Sequence, residues 1–243
     1  MKWLAFASRN FKEMTRDLLT LIFGIALPVV LIVMFSLISS NIGAMTNPSF
    51  MISNLAPGIA VFSMSFVTLF LGLLVAGDRS SAFLARILVS PMKGIDYILG
   101  YSLPLVPLAL VQALACIVTA VCFGLKLSAN LLFGLVALIP VSLLYISMGL
   151  LFGSVCSDKQ VGGLASILIN LAAWTSGAWF PVSVVGGVYE TICNLLPFGH
   201  AVSLVQGVMQ GSPLNFGHLI WVLGYAAALS ALAIFFFKKK TRP

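Results

Sequence analysis

Six stretches of about 20 residues run through this chain without one Asp, Glu, Lys or Arg, and a helix of that length crosses the hydrocarbon of a bilayer. They are Leu18 to Ser40, Leu55 to Gly77, Tyr97 to Phe123, Leu131 to Gly153, Val161 to Phe180 and Phe216 to Phe237. A soluble core would need a polar surface on every helix, and these stretches have none, so the solvent they are built for is lipid. The composition agrees: 60% of the residues are apolar and 8% charged, against about 25% charged in a soluble domain. The expected fold is all-α and polytopic, with residues 1–17 as an amphipathic interfacial helix and 18–243 as a six-span transmembrane domain.

An even number of spans places both termini on one side, and the distribution of cations says which side. Lys2, Arg9, Lys12, Arg16, Arg79, Arg86, Lys93, Lys159, Lys238, Lys239, Lys240 and Arg242 fall on the terminal side, and only Lys126 falls opposite. That bias predicts a multi-pass protein of the cell (plasma) membrane with both termini in the cytoplasm. The net charge of +7 is not a nucleic-acid footprint, because the basic residues sit at the ends of apolar runs and are not interleaved with aromatics on one polar face.

Three segments between or before the spans are patterned. Trp3, Ala7, Phe11, Met14 and Leu18 recur at helical spacing while Lys2, Arg9, Lys12, Glu13 and Arg16 occupy other faces, which predicts a helix lying in the lipid headgroup boundary. Between spans two and three, residues 78–90 predict a cytoplasmic helix: Ser80 or Ser81 caps it, Phe83, Leu84, Ile87 and Leu88 give it an apolar face, and Pro91 ends it. Apolar groups on the water side call for a membrane or a protein groove to receive them. Residues 182–211 are apolar but interrupted by Gly186, Gly187, Glu190, Pro197 and Gly199, and a crossing there would put the terminal KKKTRP outside. They predict a re-entrant or interfacial hairpin of two short helices on the outer face, broken at Pro197 and Gly199.

Catalytic chemistry has little to work with. The chain holds two histidines and six carboxylates. Asp17, Asp78, Asp96 and Asp158 stand at span ends, Glu13 lies in the first helix, Glu190 is alone in the hairpin, and His200 and His218 are each isolated in the sequence. Cys116, Cys122, Cys156 and Cys193 have no metal-type spacing and read as packing residues, Cys193 in a loop. No span has an ionisable residue near its centre, which argues against intrinsic ion coupling, and there is no GxxxxGK[ST] phosphate loop. No catalytic, cofactor or metal site is expected in this chain, and any pumping draws its energy from another. Inside the spans lie weakly polar and aromatic residues, among them Gln112, Thr119, Ser142, Asn170, Trp174, Thr175 and Trp179. They suit a path for an amphipathic solute, and equally the packing of one helix on another.

Three motifs in order carry a family resemblance: a basic helix running into SRNFKEMTRDLLTLIFGIALPVVL, with Arg16, Asp17 and Pro28; then FLARILVSPMKGIDYILG; then SGAWFPVSVVGGVYETICNLLPFGH. Together the chain resembles the type-2 permeases of ABC transporters, the membrane subunits of bacterial and archaeal exporters. The resemblance implies partners: cytoplasmic P-loop ABC ATPase subunits, which bind the ATP and Mg, and a second permease, either another copy or a sister chain. It also implies that the helix at residues 78–90 couples the two, with Arg79, Phe83, Leu84, Arg86 and Ile87 contacting the ATPase. The translocation path is then expected at Gln112, Asn170, Trp174, Thr175 and Trp179, and an outer gate at Pro181, Glu190, Pro197 and Gly199. The expected cargo is an amphipathic small molecule, drug or peptide antibiotic; the alternatives are a polysaccharide or lipid-linked glycan, or an ATPase-independent channel, scaffold or intramembrane enzyme.

Overall fold

A computed structural model describes residues 2–18, 22–42, 51–81 and 94–241, and among these every regular element is helical. In chain order they are α1 (Lys2–Arg16), a π-helical turn (Ile22–Ala26) that runs into α2 (Leu27–Ile42), α3 (Ile52–Ser80), α4 (Gly94–Ser102), α5 (Leu105–Cys122), α6 (Ala129–Val155), α7 (Asp158–Thr175), a short 3-10 turn (Val182–Val184), α8 (Gly187–Leu195), α9 (Pro197–Met209) and α10 (Phe216–Thr241). The π turn has a local cause. Pro28 carries no N–H to return to the Gly24 carbonyl, so the ladder widens just before it.

Five described helices are long and apolar enough to cross a membrane: Ile22–Ser39, Ile52–Ser80, Ile95–Cys122, Ala129–Val155 and Phe216–Phe237. The fifth expected span differs from its sequence reading. Instead of Val161 to Phe180, the helix runs from Asp158 to Thr175, 18 residues or about 27 Å. It starts early because Ser157 and Gln160 form a reciprocal capping box, and it stops early because Gly177 takes a positive φ of 72°. Its first turn of Asp, Lys and Gln also makes it less apolar than the other five. The third span is broken: α4 ends at Ser102 and α5 begins at Leu105, across Leu103 and Pro104.

The expected hairpin is present as α8 and α9, bent by 79° to each other. The break lies at Leu196, in an extended conformation, with Pro197 as the first residue of α9, where its missing N–H costs nothing. Gly199 is inside α9 and plays no part in the break, which corrects one half of the sequence expectation.

The core is organised around α3. It packs against α6, α7, α5, α9 and α2, and from Leu55 to Val67 every residue is buried. Close approach to α6 depends on glycine. A Cβ placed on Gly149 would lie 2.9 Å from the Thr68 carbonyl oxygen, and one on Gly153 would lie 2.8 Å from that of Gly72. Gly149 and Gly153 are four residues apart, so both face α3, and Thr68 Oγ1 donates across the seam to the Tyr145 carbonyl at 2.8 Å. Apolar attraction between helices is weak when lipid is the alternative, which leaves close van der Waals contact and such hydrogen bonds to hold the pair.

Both chain termini lie at one end of the bundle. Phe6 meets Tyr101 edge-on at 4.7 Å, Tyr101 meets Tyr97 at 4.8 Å, and Tyr97 stacks on Phe237 of α10 at 3.8 Å. In α1 the buried face is Phe6, Ala7, Asn10 and Met14, whereas Phe11 and Leu18 are exposed. The face turned to the protein shares Ala7 and Met14 with the stripe read in the sequence and leaves Phe11 on the exposed side. It is the absence of a side chain at Gly100 that admits the Phe6 ring, since a Cβ there would collide with it.

The glycine seam makes an unequal prediction for two substitutions. Gly153→Val should destabilise the chain by about 1–3 kcal/mol through overpacking, while Gly162→Ala, in open space on α7, should gain up to about 1 kcal/mol from helix propensity. Thermal unfolding in detergent, followed by size-exclusion, reads both; equal losses would contradict the seam.

Candidate functional site

Polar side chains gather at the two ends of the bundle. At the end that holds the termini, the hub is Asp78, the third-last residue of α3 and only 4% exposed. Arg9 of α1 grips it with two parallel bonds, Nη1 to Oδ2 at 2.6 Å and Nη2 to Oδ1 at 2.8 Å, and Tyr101 of α4 donates its hydroxyl to Oδ2 at 2.6 Å. Arg9 also pairs with Glu13 at 2.6 Å, and Asn10 Nδ2 donates to the Gly100 carbonyl at 3.0 Å. Burial opposes the charge on the Arg9 guanidinium, but the hydrogen bonds to Asp78 and the attraction of Asp78 and Glu13 outweigh it, and its pKa rises above the ordinary value. The result is that α1, α3 and α4 are tied at one carboxylate, where α3 runs out toward residues 82–93.

Of the residues expected to contact an ATPase, Arg79 donates from Nη1 to the carbonyl oxygens of Gly153 at 2.6 Å and Cys156 at 3.3 Å, so it caps the C-terminus of α6. Phe83, Leu84, Arg86 and Ile87 lie outside the described residues.

At the far end a cavity of about 370 Å³ opens between the start of α3, the end of α7, the hairpin and the start of α10. Hydroxyls, carboxamides and imidazoles line it. Asn54 of α3 accepts at Oδ1 from Gln206 of α9 at 2.8 Å and from Gln210, the residue that caps the end of α9, at 2.6 Å. The two histidines, read as isolated in the sequence, are in contact: His200 Nδ1 and His218 Nδ1 are 2.7 Å apart, because the hairpin folds α9 back along α10. Cys193 is buried in α8 rather than lying in a loop. Among the described residues no three of His, Cys, Asp and Glu come together as a metal site.

The expected gate and path residues divide by position. Pro181, Glu190 and Gly199 line the far cavity, as do Thr175 and Trp179, and Pro197 opens α9 behind it. Trp179 packs on Phe35 and Phe62 at 4.9 and 5.3 Å. Gln112 is buried deep between α5 and α3, donating to the Ser63 carbonyl at 3.1 Å. Asn170 and Trp174 are exposed on the outward face of α7, in line with Gly163 and Ser166. Sequence reasoning missed Arg9, Asp78 and Tyr101 as a unit, and the Asn54 cluster. Two glutamines four apart in an apolar segment were the one available signal for the latter.

Among the described residues, an all-helical bundle with five or six candidate spans, polar at its ends, defines a polytopic membrane protein. Residues 1–210 match the family model described as ABC-2 type transporter, and the chain belongs to that family, whose members are membrane permeases. A stretch of 49 residues is also 33% identical to nodulation protein J of Rhizobium meliloti (strain 1021), over 20% of this chain and 19% of that protein. The match thus spans about a fifth of the relative's length.

Arg9→Gln would leave Asp78 buried without its cation and should cost about 3 kcal/mol, the low end for a broken buried pair because Arg9 keeps a third of its surface exposed. Adding Asp78→Asn to it should recover part of that loss. A double-mutant cycle on unfolding in detergent measures the coupling, and strictly additive losses would count against the pair.

Proposed function

We propose that this chain is the permease subunit of an ATP-driven exporter, working with separate cytoplasmic P-loop ATPase chains and facing a second permease. The observation that carries the reading is that one helix, α3, holds a polar junction at each end. Its 29 residues span about 43 Å. Asp78 ties one end to α1 and α4, and Asn54 ties the other to α9 of the hairpin. Force applied to residues 82–93 by an ATPase would therefore pass along a packed rod to the far cavity. Both termini at one end of the bundle, together with the cation bias, favour that end as the cytoplasmic one.

The path is proposed to form between two copies across α7, whose outward face sets Ser166 and Asn170 beside Trp174 and Ile167 and so suits an amphipathic small molecule, drug or peptide antibiotic. A glycan headgroup is the second reading, favoured by the hydroxyl and carboxamide lining of the far cavity. In either case Phe83, Leu84, Arg86 and Ile87 form the coupling surface, and Pro181, Glu190 and Pro197 the gate.

The test is purification from native membranes followed by reconstitution into vesicles. A P-loop ATPase and a second permease should copurify, and efflux should require ATP. Asp78→Asn should lower cargo moved per ATP hydrolysed several-fold with the complex intact, and Leu84→Asp should do the same by weakening ATPase binding. A chain that moves solute alone, indifferent to ATP, would overturn the proposal.

A further inference from the structure

The pair of histidines in the far cavity is not used by the relay from Asp78 to Asn54. His200 lies on α9 and His218 in the first turn of α10, and their Nδ1 atoms face each other at 2.7 Å. His200 Nε2 is 2.9 Å from the Asn194 carbonyl oxygen. A carbonyl only accepts, so Nε2 carries hydrogen, and in neutral His200 the Nδ1 atom is then the acceptor. His218 must supply the proton of the contact from its own Nδ1. The His200 ring also stacks on Trp221 at 5.1 Å and 10°, and Trp221 on Tyr225 at 5.7 Å, which fixes its plane.

From this geometry we infer that His200 and His218 are a proton-operated latch, holding the hairpin helix α9 to the last span and releasing it in acid. The proton count makes the case. With no added proton, His218 donates to His200. With one, an imidazolium on His200 donates to neutral His218, and the face of Trp221 favours that cation. With two, both Nδ1 atoms carry hydrogen and positive charge, neither accepts, and the contact becomes a repulsion. The latch therefore contributes stability at neutral pH and loses it as pH falls and the second proton binds.

The surrounding groups do not relieve that clash. Glu190 and Cys193 of α8 line the same cavity, and the Glu190 carboxylate favours cation there without supplying an acceptor between the two rings. The Tyr189 hydroxyl is committed to the Trp174 carbonyl at 2.6 Å, and that of Tyr225 to the Leu195 carbonyl at 2.9 Å. From α3 and α7 come Asn54, Thr175 and Ser176, which are not titratable in this range, and from α6 Tyr145, stacked on Phe198. No Lys or Arg lines the cavity among the described residues.

The test uses the full chain in lipid nanodiscs, with spin labels on cysteines placed at Ile192 of α8 and Leu223 of α10 after the native cysteines are replaced. Distances are read at about pH 8 and about pH 4, because the second proton enters beside a charged ring and so binds below the ordinary imidazole value of about 6.5. The native pair should give a narrow distribution at the higher pH and a longer, broader one at the lower. His218→Asn sets an amide near the Nδ1 position that donates or accepts without charging, so it should stay narrow at both. His218→Leu should be broad at both. Identical distributions for the native pair at the two pH values would overturn the latch, and so would an acid response that survives His218→Asn. These distances do not depend on cargo or ATPase, so the proposal fails or stands apart from the exporter reading.

Discussion

The rest of the structure depends on how closely α3 approaches α6. In lipid, no gain from leaving water draws two apolar helices together, so the pair must be held by dense contact and by hydrogen bonds across the seam. Gly149 and Gly153 remove the side chains that would separate the backbones, and Thr68 adds a bond to the Tyr145 carbonyl. On this fixed pair the remaining helices assemble: α10 lies along α6, while α5, α7 and α2 lie along α3. Burial therefore falls from α3 outward, and α2 and α10 keep most of their surface toward lipid.

That arrangement gives α3 a polar junction at each end. At Asp78 a buried carboxylate takes three donated bonds from two other helices, and a charge so placed persists only because its partners are fixed. At Asn54 a single carbonyl oxygen takes two more, from Gln206 of α9 and from Gln210 that caps it. Between these lies a continuous buried helix. A rod with polar joints at both ends transmits displacement better than one held by apolar contact alone, because each joint has direction.

Much of the fold was legible because lipid imposes simple rules. Uncharged runs of about 20 residues mark helices, and the interruptions at Gly186, Glu190 and Pro197 mark the two short helices α8 and α9. What the sequence did not disclose was which groups meet. Arg9 and Asp78 are 69 positions apart and His200 and His218 are 18 apart, and no periodicity connects either pair. The face that α1 turns to the protein was not legible, because it depends on the gap at Gly100 that receives Phe6. The length of α7 was misjudged at both ends because caps outrank hydropathy there: the Ser157 and Gln160 box starts it, and Gly177 stops it.

The break at Leu103 and Pro104 has a consequence for inheritance. It parts α4 from α5 within what hydropathy presents as one crossing, while Asp78 and the Phe6, Tyr101 and Tyr97 rings bind α4 to α1. The surface at that end is therefore assembled from two segments that are remote in sequence yet share one anchor, and a two-residue turn separates it from the body of α5. Such a surface is free to drift as a unit. Substitutions on that surface are accommodated within α1 and α4 without reshaping α5 or α6, so the two parts of the molecule can diverge among descendants at separate rates.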